Sequence, residues 1–227
     1  EVEKELKNLL NLSSLKRIDL FDNSHLFGTY YVGCMVVYEN LEPNKNLYRK
    51  YKISLEVKDD LSAMKEVIYR RYYRMLLDKE TYPDLIIVDG GELQVKAALS
   101  VLESLGLSIK VMGLKKDEKH RTSIIIDNNL QEINISKNNH LFLYLTKMQD
   151  EVHRFAISFH RDLKSKGSLE SILSNVSGLG EKRRTSLLKK YGSLKKIKEA
   201  RVDELKKIIP EDIAINLKEF LNGEDNL

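Results

Sequence analysis

A short apolar run that ends on an acid and two glycines constrains the fold of this chain more than any other stretch. The run from Leu85 to Val88 is continuously apolar rather than alternating, which is typical of a strand buried on both faces of a sheet. Asp89 follows it, and Gly90 and Gly91 permit a tight turn into a helical pattern. Ligands of open α/β sheets gather at the carboxyl ends of strands, yet an aspartate here can also cap the following helix. The run by itself leaves both interpretations open.

The other predicted elements make this strand the fourth of an α/β chain. Three strands are predicted before it, over residues 17–21, 29–39 and 47–55, and turn residues near Pro43 favour an antiparallel meander. A helix with Asp59 or Asp60 as its N-cap follows that meander. After the run, the pattern predicts a helix over 92–105, a strand over 109–114, a hairpin of 122–126 with 132–135, and an amphipathic helix over 140–164. This is the order of elements in the ribonuclease H-like fold, a mixed sheet with flanking helices.

Two acids, Asp22 and Asp89, end the first and fourth predicted strands. Those strands lie side by side in the ribonuclease H-like topology, so we expect the two carboxylates to project to neighbouring positions. Mg²⁺ and Mn²⁺ prefer oxygen ligands of this kind. Such an ion activates a water and stabilises the leaving oxygen of a phosphodiester. Two structural acids could arise at any two strand ends by chance, but they would fall on these two particular strands less often.

Composition bounds the class of protein. The 227 residues can bury a real core, and the single cysteine, Cys34, excludes an intrachain disulfide and a cysteine-based zinc cluster. No apolar run approaches a membrane span and no N-terminal signal pattern is visible, so we expect a cytoplasmic protein without a membrane partner. The net charge of +4 points only weakly to nucleic acid. Between Lys182 and Arg201, however, nine of twenty residues are basic and one is acidic, a bias that suits a phosphate backbone.

Four sequence blocks succeed one another along the chain. They are Phe-Asp-Asn-Ser-His at 21–25 with Gly28, Asp-Asp-Leu-Ser-Ala-Met at 59–64 with Arg-Arg-Tyr at 70–72, Pro-Asp-Leu-Ile-Ile-Val-Asp-Gly-Gly at 83–91 with Gln94, and Asp-Glu-Val-His-Arg-Phe-Ala-Ile at 150–157 with His160 and Arg161. In order and spacing they resemble the C-terminal nuclease domain of the UvrC family, the incising subunit of bacterial nucleotide excision repair. The resemblance extends from about Ser13 to at least Ile208.

The resemblance implies a metal-dependent endonuclease that cuts DNA on the 5′ side of a lesion. The Asp, Asp, His set with which the family binds its metal corresponds to Asp22, Asp89 and His153, and the expected cofactor is Mg²⁺ or Mn²⁺. Asp60 matches a further acid that the family associates with activity, although an ordinary helix N-cap explains it nearly as well. Lys115 matches a lysine that would contact the scissile phosphate, and a solvated surface lysine is an evenly matched alternative.

Several other residues carry weaker expectations. Asp150 and Glu151 could support the metal ligands from the last helix of the domain. His25 is explained as well by a structural hydrogen bond as by chemistry, and His160 is more simply an ordinary helix residue. Glu92 departs from the family pattern and places a negative charge near the metal site.

A short linker is predicted to divide the chain into two domains. Residues 165–168, Ser-Lys-Gly-Ser, have the composition of a flexible connection between an endonuclease domain over 1–164 and a helical domain over 169–227. By the resemblance, full-length members also carry an N-terminal GIY-YIG nuclease for the other cut and a segment that binds the partner UvrB. Neither is visible here, so we expect the C-terminal half of such a protein, without the 3′ incision and without the main contact to UvrB.

The second domain begins with a pattern that resembles a helix-hairpin-helix. Gly178 and Gly180 would let the hairpin backbone approach a phosphate, and the following helix N-terminus offers unpaired N–H groups. Lys182 and Arg183 add positive charge at the same place. A helical turn with a solvated basic face is the simpler alternative. The expected ligand is damaged duplex DNA or a single-strand to duplex junction, bound without sequence preference.

A second hairpin is expected over residues 202–222, but there the family pattern weakens. The turn contains no glycine, and Glu211 and Asp212 would repel a phosphate. We therefore expect this half to be mainly structural and to pack against the first hairpin through four apolar residues, namely Ile208, Ile213, Leu217 and Phe220.

Two classes of function fit these observations. The first is a metal-dependent DNA endonuclease with its own DNA-binding module, and the second is an inert module that binds DNA junctions and positions a partner. Asp22, Asp89 and His153 favour the nuclease, because an inert descendant would be free to lose them. A different nuclease of the same fold, such as an endonuclease V-like or junction-resolving enzyme, is disfavoured by the hairpin domain and by the block at 150–157.

Overall fold

A computed structural model describes residues 1–26, 30–53, 57, 59–116, 122–136 and 139–223. The chain forms two compact units, Glu1–Ser158 and Phe159–Leu227. Among the described residues, no helix is long and apolar enough to cross a membrane.

The first unit is built on a mixed sheet. Its elements are α1 (Val2–Leu10), β1 (Arg17–Leu26), β2 (Tyr30–Glu39), β3 (Glu42–Pro43), a 3₁₀ turn (Lys45–Leu47), β4 (Arg49–Lys52), α2 (Asp60–Asp78), β5 (Leu85–Asp89), α3 (Glu92–Ser104), β6 (Lys110–Lys116), β7 (Thr122–Ile126), β8 (Glu132–Asn134) and the start of α4 (His140–Ser174). The described strands lie in the order β3-β2-β1-β5-β6-β7-β8, with β4 also paired to β2. Among the described strands, only the β1–β5 and β5–β6 pairs are parallel. The predicted ribonuclease H-like order of strands, with the first and fourth predicted strands adjacent, is confirmed.

Two strand boundaries differ from the sequence prediction. β1 does not end at Asp22 but continues to Leu26, because its antiparallel ladder with β2 runs on after its parallel ladder with β5 has stopped at Phe21. The third predicted strand is shorter than expected, since the 3₁₀ turn occupies its beginning and β4 covers only Arg49–Lys52. Residues 54 and 55 of the predicted strand lie outside the described part of the chain.

One face of the sheet packs against α2 and α3. Alternate residues of a strand face opposite sides, so Phe21 of β1 and Ile86 and Val88 of β5 enter this core together. They meet Val67, Ile68 and Tyr72 of α2 and Val95, Ala98 and Leu102 of α3. The intervening residues, including Leu20 of β1 and Ile87 of β5, are equally buried and belong to the other face.

A buried acid ties β1 to helix α2. Asp19 is fully buried, accepts a hydrogen bond from the Tyr72 hydroxyl at 2.8 Å and pairs with Arg17 Nε at 2.9 Å. Burial raises the pKa of the Asp19 carboxyl, while Arg17 and Tyr72 oppose that shift. A buried carboxylate is tolerated only when such partners satisfy it.

Replacing Tyr72 by Phe should therefore destabilise the protein by about 1–3 kcal/mol at neutral pH, because the buried carboxylate loses a donor while the ring stays in place. The pKa of Asp19 should rise further, so the loss should shrink as the pH falls and the acid becomes protonated. Urea unfolding at several pH values would measure both effects. Tyr69→Phe is the matched control, since Tyr69 is 44% exposed on the same helix; an equal loss in both variants would contradict this account.

The second unit is a small helical assembly. It contains the end of α4 followed by α5 (Glu181–Tyr191), α6 (Leu194–Glu199), α7 (Val202–Leu205) and α8 (Glu211–Gly223). Its buried core includes Leu173, Leu187, Ile197, Leu205, Ile213, Leu217 and Leu221. The expected packing of the second hairpin is confirmed, since Ile213 and Leu217 belong to this core and Ile208 and Phe220 pack against it.

The stretch predicted as a flexible linker is helical. Residues 165–168 lie within α4, which runs from His140 to Ser174. The apolar spacing resumes directly after them with Leu169 and Leu173, both buried, and one glycine inside a helix costs only about 1 kcal/mol. The linker-like composition of residues 165–168 was therefore a weaker indicator of local structure than the helical spacing of apolar residues on either side.

Candidate metal centre and candidate nucleic-acid interface

The register of two parallel strands brings Asp22 and Asp89 together. Phe21 pairs with Val88, which is the last pair of the β1–β5 ladder, and the two acids are the next residues on their strands. Because side chains alternate along a strand, both acids leave the sheet on the face opposite Phe21 and Val88. The predicted convergence is therefore a direct result of parallel pairing.

Helix α4 completes the group with His153. Its Nδ1 lies 2.9 Å from Asp22 Oδ2, and its Nε2 lies 3.8 Å from Asp89 Oδ2. Ligand atoms of the three residues lie within 4.8 Å of one another. The Asp22 side chain is only 7% exposed, so its negative charge requires a close partner, which the imidazole provides.

The three residues fit a divalent cation. Mg²⁺ binds its ligands at roughly 2.1 Å in octahedral geometry, which separates the ligand atoms of one ion by roughly 3–4 Å. The separation of 3.8 Å between His153 Nε2 and Asp89 Oδ2 lies in this range. Two carboxylates suit Mg²⁺ or Mn²⁺, and the neutral imidazole is a competent further ligand.

A residue that the sequence did not reveal also contacts this group. Gln149 is 3% exposed and donates from Nε2 to Asp89 Oδ1 at 2.6 Å. It precedes His153 by four residues, so both lie on one face of α4. That spacing was visible in the sequence, but a glutamine on an amphipathic helix does not by itself indicate a buried position.

Glu151, suggested as a support for the metal ligands, has other partners. It accepts a hydrogen bond from the Tyr48 hydroxyl at 3.0 Å and pairs with Arg154 at 2.7 Å. The hydrogen bonds from Arg154, opposed by partial burial, lower the pKa of the Glu151 carboxyl. Asp150 is exposed on the same helix. Of these three residues of α4, Gln149 is therefore the one that the structure shows hydrogen-bonded to a proposed ligand, Asp89.

Asp60 is the first residue of α2 rather than its N-cap. Asp59 is the cap, and its carboxylate accepts from the Ser62 amide at 2.8 Å and the Ser62 hydroxyl at 2.7 Å. Asp60 lies beside Tyr31, whose pKa is raised by burial and then by the charge and hydrogen bond of Asp60. The N-cap explanation for Asp60 is therefore wrong. Among the described residues, the group that could hold a metal ion consists of Asp22, Asp89 and His153, without Asp60.

Lys115 lies beside the turn that follows Asp89. Leu114 pairs with Asp89, so Lys115 belongs to the opposite face of the sheet. Its Nζ is 3.1 Å from Glu132, and its Cδ lies 3.7 Å from where a side chain at Gly91 would begin. The half-exposed lysine therefore lies beside the turn after Asp89 and is not one of the three grouped residues.

The sequence also singled out Glu92, His25 and His160. Glu92, expected to add negative charge near the metal site, forms an exposed ion pair with Lys96 at 2.7 Å. The side chain of His25 lies outside the described part of the structure, and His160 falls in the second unit.

The first hairpin of the second unit has the geometry that its glycines predict. Gly178 has a φ of +79°, and a Cβ there would lie 3.1 Å from Ile213. Its carbonyl accepts a hydrogen bond from Arg183 Nη1 at 2.8 Å. Gly180 is the N-cap of α5, with a φ of −66°, and a Cβ there would meet nothing within 4 Å. Lys182 is exposed in the first turn of the helix.

The fold and the group of Asp22, Asp89 and His153 define a ribonuclease H-like domain with a candidate metal site, joined to a helix-hairpin-helix region. Residues 7–157 match the UvrC RNAse H endonuclease domain, and residues 170–222 match the SAM-like helix-hairpin-helix tandem. The chain belongs to the UvrC family.

Comparison with individual proteins supports this assignment. The chain is 49% identical over 220 residues to UvrABC system protein C of Malacoplasma penetrans (strain HF-2), covering 96% of this chain and 37% of the relative. It is 48% identical over 223 residues to UvrABC system protein C of Streptococcus gordonii (strain Challis), covering 96% and 36%. The chain thus spans a little over a third of the length of these curated relatives.

Solved structures of endonuclease V are also similar in part. The Bacillus subtilis Endonuclease_V is 17% identical, and the alignment covers 70% of this chain and 91% of that one with a TM-score of 0.39. A likeness at this level carries no argument about activity.

The two hairpin glycines should respond differently to the same substitution. Gly178→Ser should destabilise the protein by about 1–2 kcal/mol, because a side chain is strained at positive φ. Gly180→Ser should leave stability nearly unchanged, since serine is a favourable N-cap. Urea unfolding of both variants measures this difference. If the backbone at Gly180 must approach a phosphate, its variant should nevertheless bind DNA more weakly in a fluorescence anisotropy titration, and unchanged binding would contradict that role.

Proposed function

We propose that this chain is a metal-dependent DNA endonuclease that makes the 5′ incision beside a lesion in nucleotide excision repair. The observation that carries the proposal is the convergence of Asp22, Asp89 and His153 at one edge of the β1–β5 pair. Membership of the UvrC family and the match to its endonuclease domain support the same activity.

The three residues would hold Mg²⁺ or Mn²⁺. When bound, such an ion activates a water and stabilises the leaving oxygen of the phosphodiester. Asp22 orients the imidazole, because a proton on His153 Nδ1 bridges the 2.9 Å to Asp22 Oδ2 and leaves the lone pair on Nε2. That nitrogen lies on the side of Asp89. Asp60 and Lys115, outside this group, would act on the approaching phosphate or on water rather than hold the ion.

The second unit would supply affinity for DNA. Gly178 and Gly180 shape the first hairpin so that the N-terminus of α5, with Lys182 and Arg183, can contact a phosphate. Contacts of this kind carry no base information, so binding would follow the backbone of damaged duplex DNA and of single-strand to duplex junctions. The relatives named UvrABC system protein C support two further proposals, that the protein works with UvrB and that it acts in the cytoplasm on DNA.

Nicking of a plasmid, or of a duplex that contains a bubble, tests the nuclease directly. We expect nicking that requires Mg²⁺ or Mn²⁺ and that falls by about 100-fold or more in Asp22→Ala, since a metal ion contributes several kcal/mol to the transition state. Asp150→Ala is the matched control, because Asp150 is an exposed acid on the helix that carries His153. Equal activity in Asp22→Ala and the unaltered chain would exclude the proposed site.

The alternative of an inert DNA-binding module has its own signature in this assay. It predicts no nicking under any metal condition together with intact binding to a junction. A nuclease that is silent without the rest of the protein would give the same result in this chain alone. Repeating the comparison of Asp22→Ala with its parent in a full-length protein separates the two cases.

The salt dependence of DNA binding tests the hairpin. Substituting Lys182 and Arg183 together by Gln should reduce the slope of log K against log salt by roughly two phosphate contacts. Lys206→Gln is the control, because Lys206 lies in the second hairpin and pairs with Glu211 at 2.9 Å. An unchanged slope in the double variant, with normal unfolding, would exclude the first hairpin as the phosphate contact.

A further inference from the structure

Both oxygens of Asp89 face groups from a single turn of α4. Gln149 donates to Oδ1 at 2.6 Å, and His153 Nε2 lies 3.8 Å from Oδ2. Residues four apart on a helix lie on the same face. One helical turn therefore contacts one carboxylate at two points.

The contact with Gln149 bears on the orientation of the Asp89 carboxylate. Asp89 is the last residue of β5 and is followed by Gly90, whose φ is +148°. The terminal torsion of an aspartate is broad and roughly two-fold, so rotation of the carboxylate exchanges its two oxygens at little cost. A hydrogen bond to Oδ1 from a residue fixed in the core selects one orientation.

The chemistry of the donor also matters. Gln149 is 3% exposed, so packing restricts its side chain. Its amide is neutral, and it can therefore hold the carboxylate without cancelling the negative charge that attracts a cation. A lysine or arginine at the same distance would add a positive charge beside the ion.

We propose that Gln149 is a positioning residue for the metal centre: it holds Asp89 through Oδ1 so that Oδ2 faces His153 and the cation. The inference rests on the proposed metal-dependent function and adds to it a residue that does not touch the ion. Hydrogen-bonding partners of ligating carboxylates typically change metal affinity by 10- to 100-fold when they are removed.

Metal binding by the intact chain, measured by calorimetry with Mn²⁺ alone, tests this role without any dependence on cleavage. Gln149→Met keeps the size of the side chain and removes the donor, and it should raise the Kd for Mn²⁺ by about 10- to 100-fold. A purely structural role would lower the unfolding temperature of the metal-free protein and leave the Kd unchanged. Gln131→Met, the same change at an exposed position, should alter neither quantity.

A second variant covers the case in which Gln149→Met does not fold. Gln149→Asn retains an amide but withdraws it by one methylene, which breaks the 2.6 Å contact, and it should show the same loss of Mn²⁺ affinity. Unchanged affinity in a folded variant would overturn the positioning role while the metal site stands. Absence of Mn²⁺ binding in the unaltered chain would overturn the metal site and the positioning role together.

Discussion

The parallel pairing of β1 with β5 is the constraint on which the candidate site depends. This pairing stops at Phe21 and Val88. The side chains of the next residues, Asp22 and Asp89, therefore project from the sheet at the same level and on the same face. An antiparallel pairing would have placed the carboxyl ends of the two strands at opposite edges. The backbone hydrogen bonds between β1 and β5 thus bring together two acids that are far apart in the sequence. This placement does not depend on a side chain of α4.

Strand β1 carries two buried acids, Asp19 and Asp22, whose partners differ. Asp19 faces α2, where Arg17 and Tyr72 occupy both of its oxygens. Asp22, three residues later and on the other face, shares the imidazole of His153 with a second carboxylate. The first arrangement satisfies a charge completely and contributes to the fold. The second places two carboxylates around one imidazole, which is a set of ligands that suits the proposed cation.

The sequence predicted the sheet and the three candidate ligands because both predictions depend on regular patterns in the sequence. The continuous apolar run of β5 indicated a central strand, and the family blocks contained Asp22, Asp89 and His153. The predicted end of β1 was wrong because β1 loses its pairing with β5 after Phe21 but keeps its pairing with β2. The sequence of β1 itself does not indicate this difference. Gln149 was missed because its burial results from the docking of α4, and the choice between Asp59 and Asp60 as the helix cap required the position of the Ser62 amide.

The second unit shows how one motif can serve two purposes within a few dozen residues. Gly178 is required by the fold itself, since its backbone is left-handed and Ile213 occupies the space beside it. Gly180, with no steric demand of its own, leaves the start of α5 accessible. In the second hairpin, Glu211 stands in the first turn of α8 and binds Lys206, so a phosphate would have to displace an existing ion pair and approach an acid. We therefore assign the proposed phosphate contact to the first hairpin, where the backbone beside the basic residues is open.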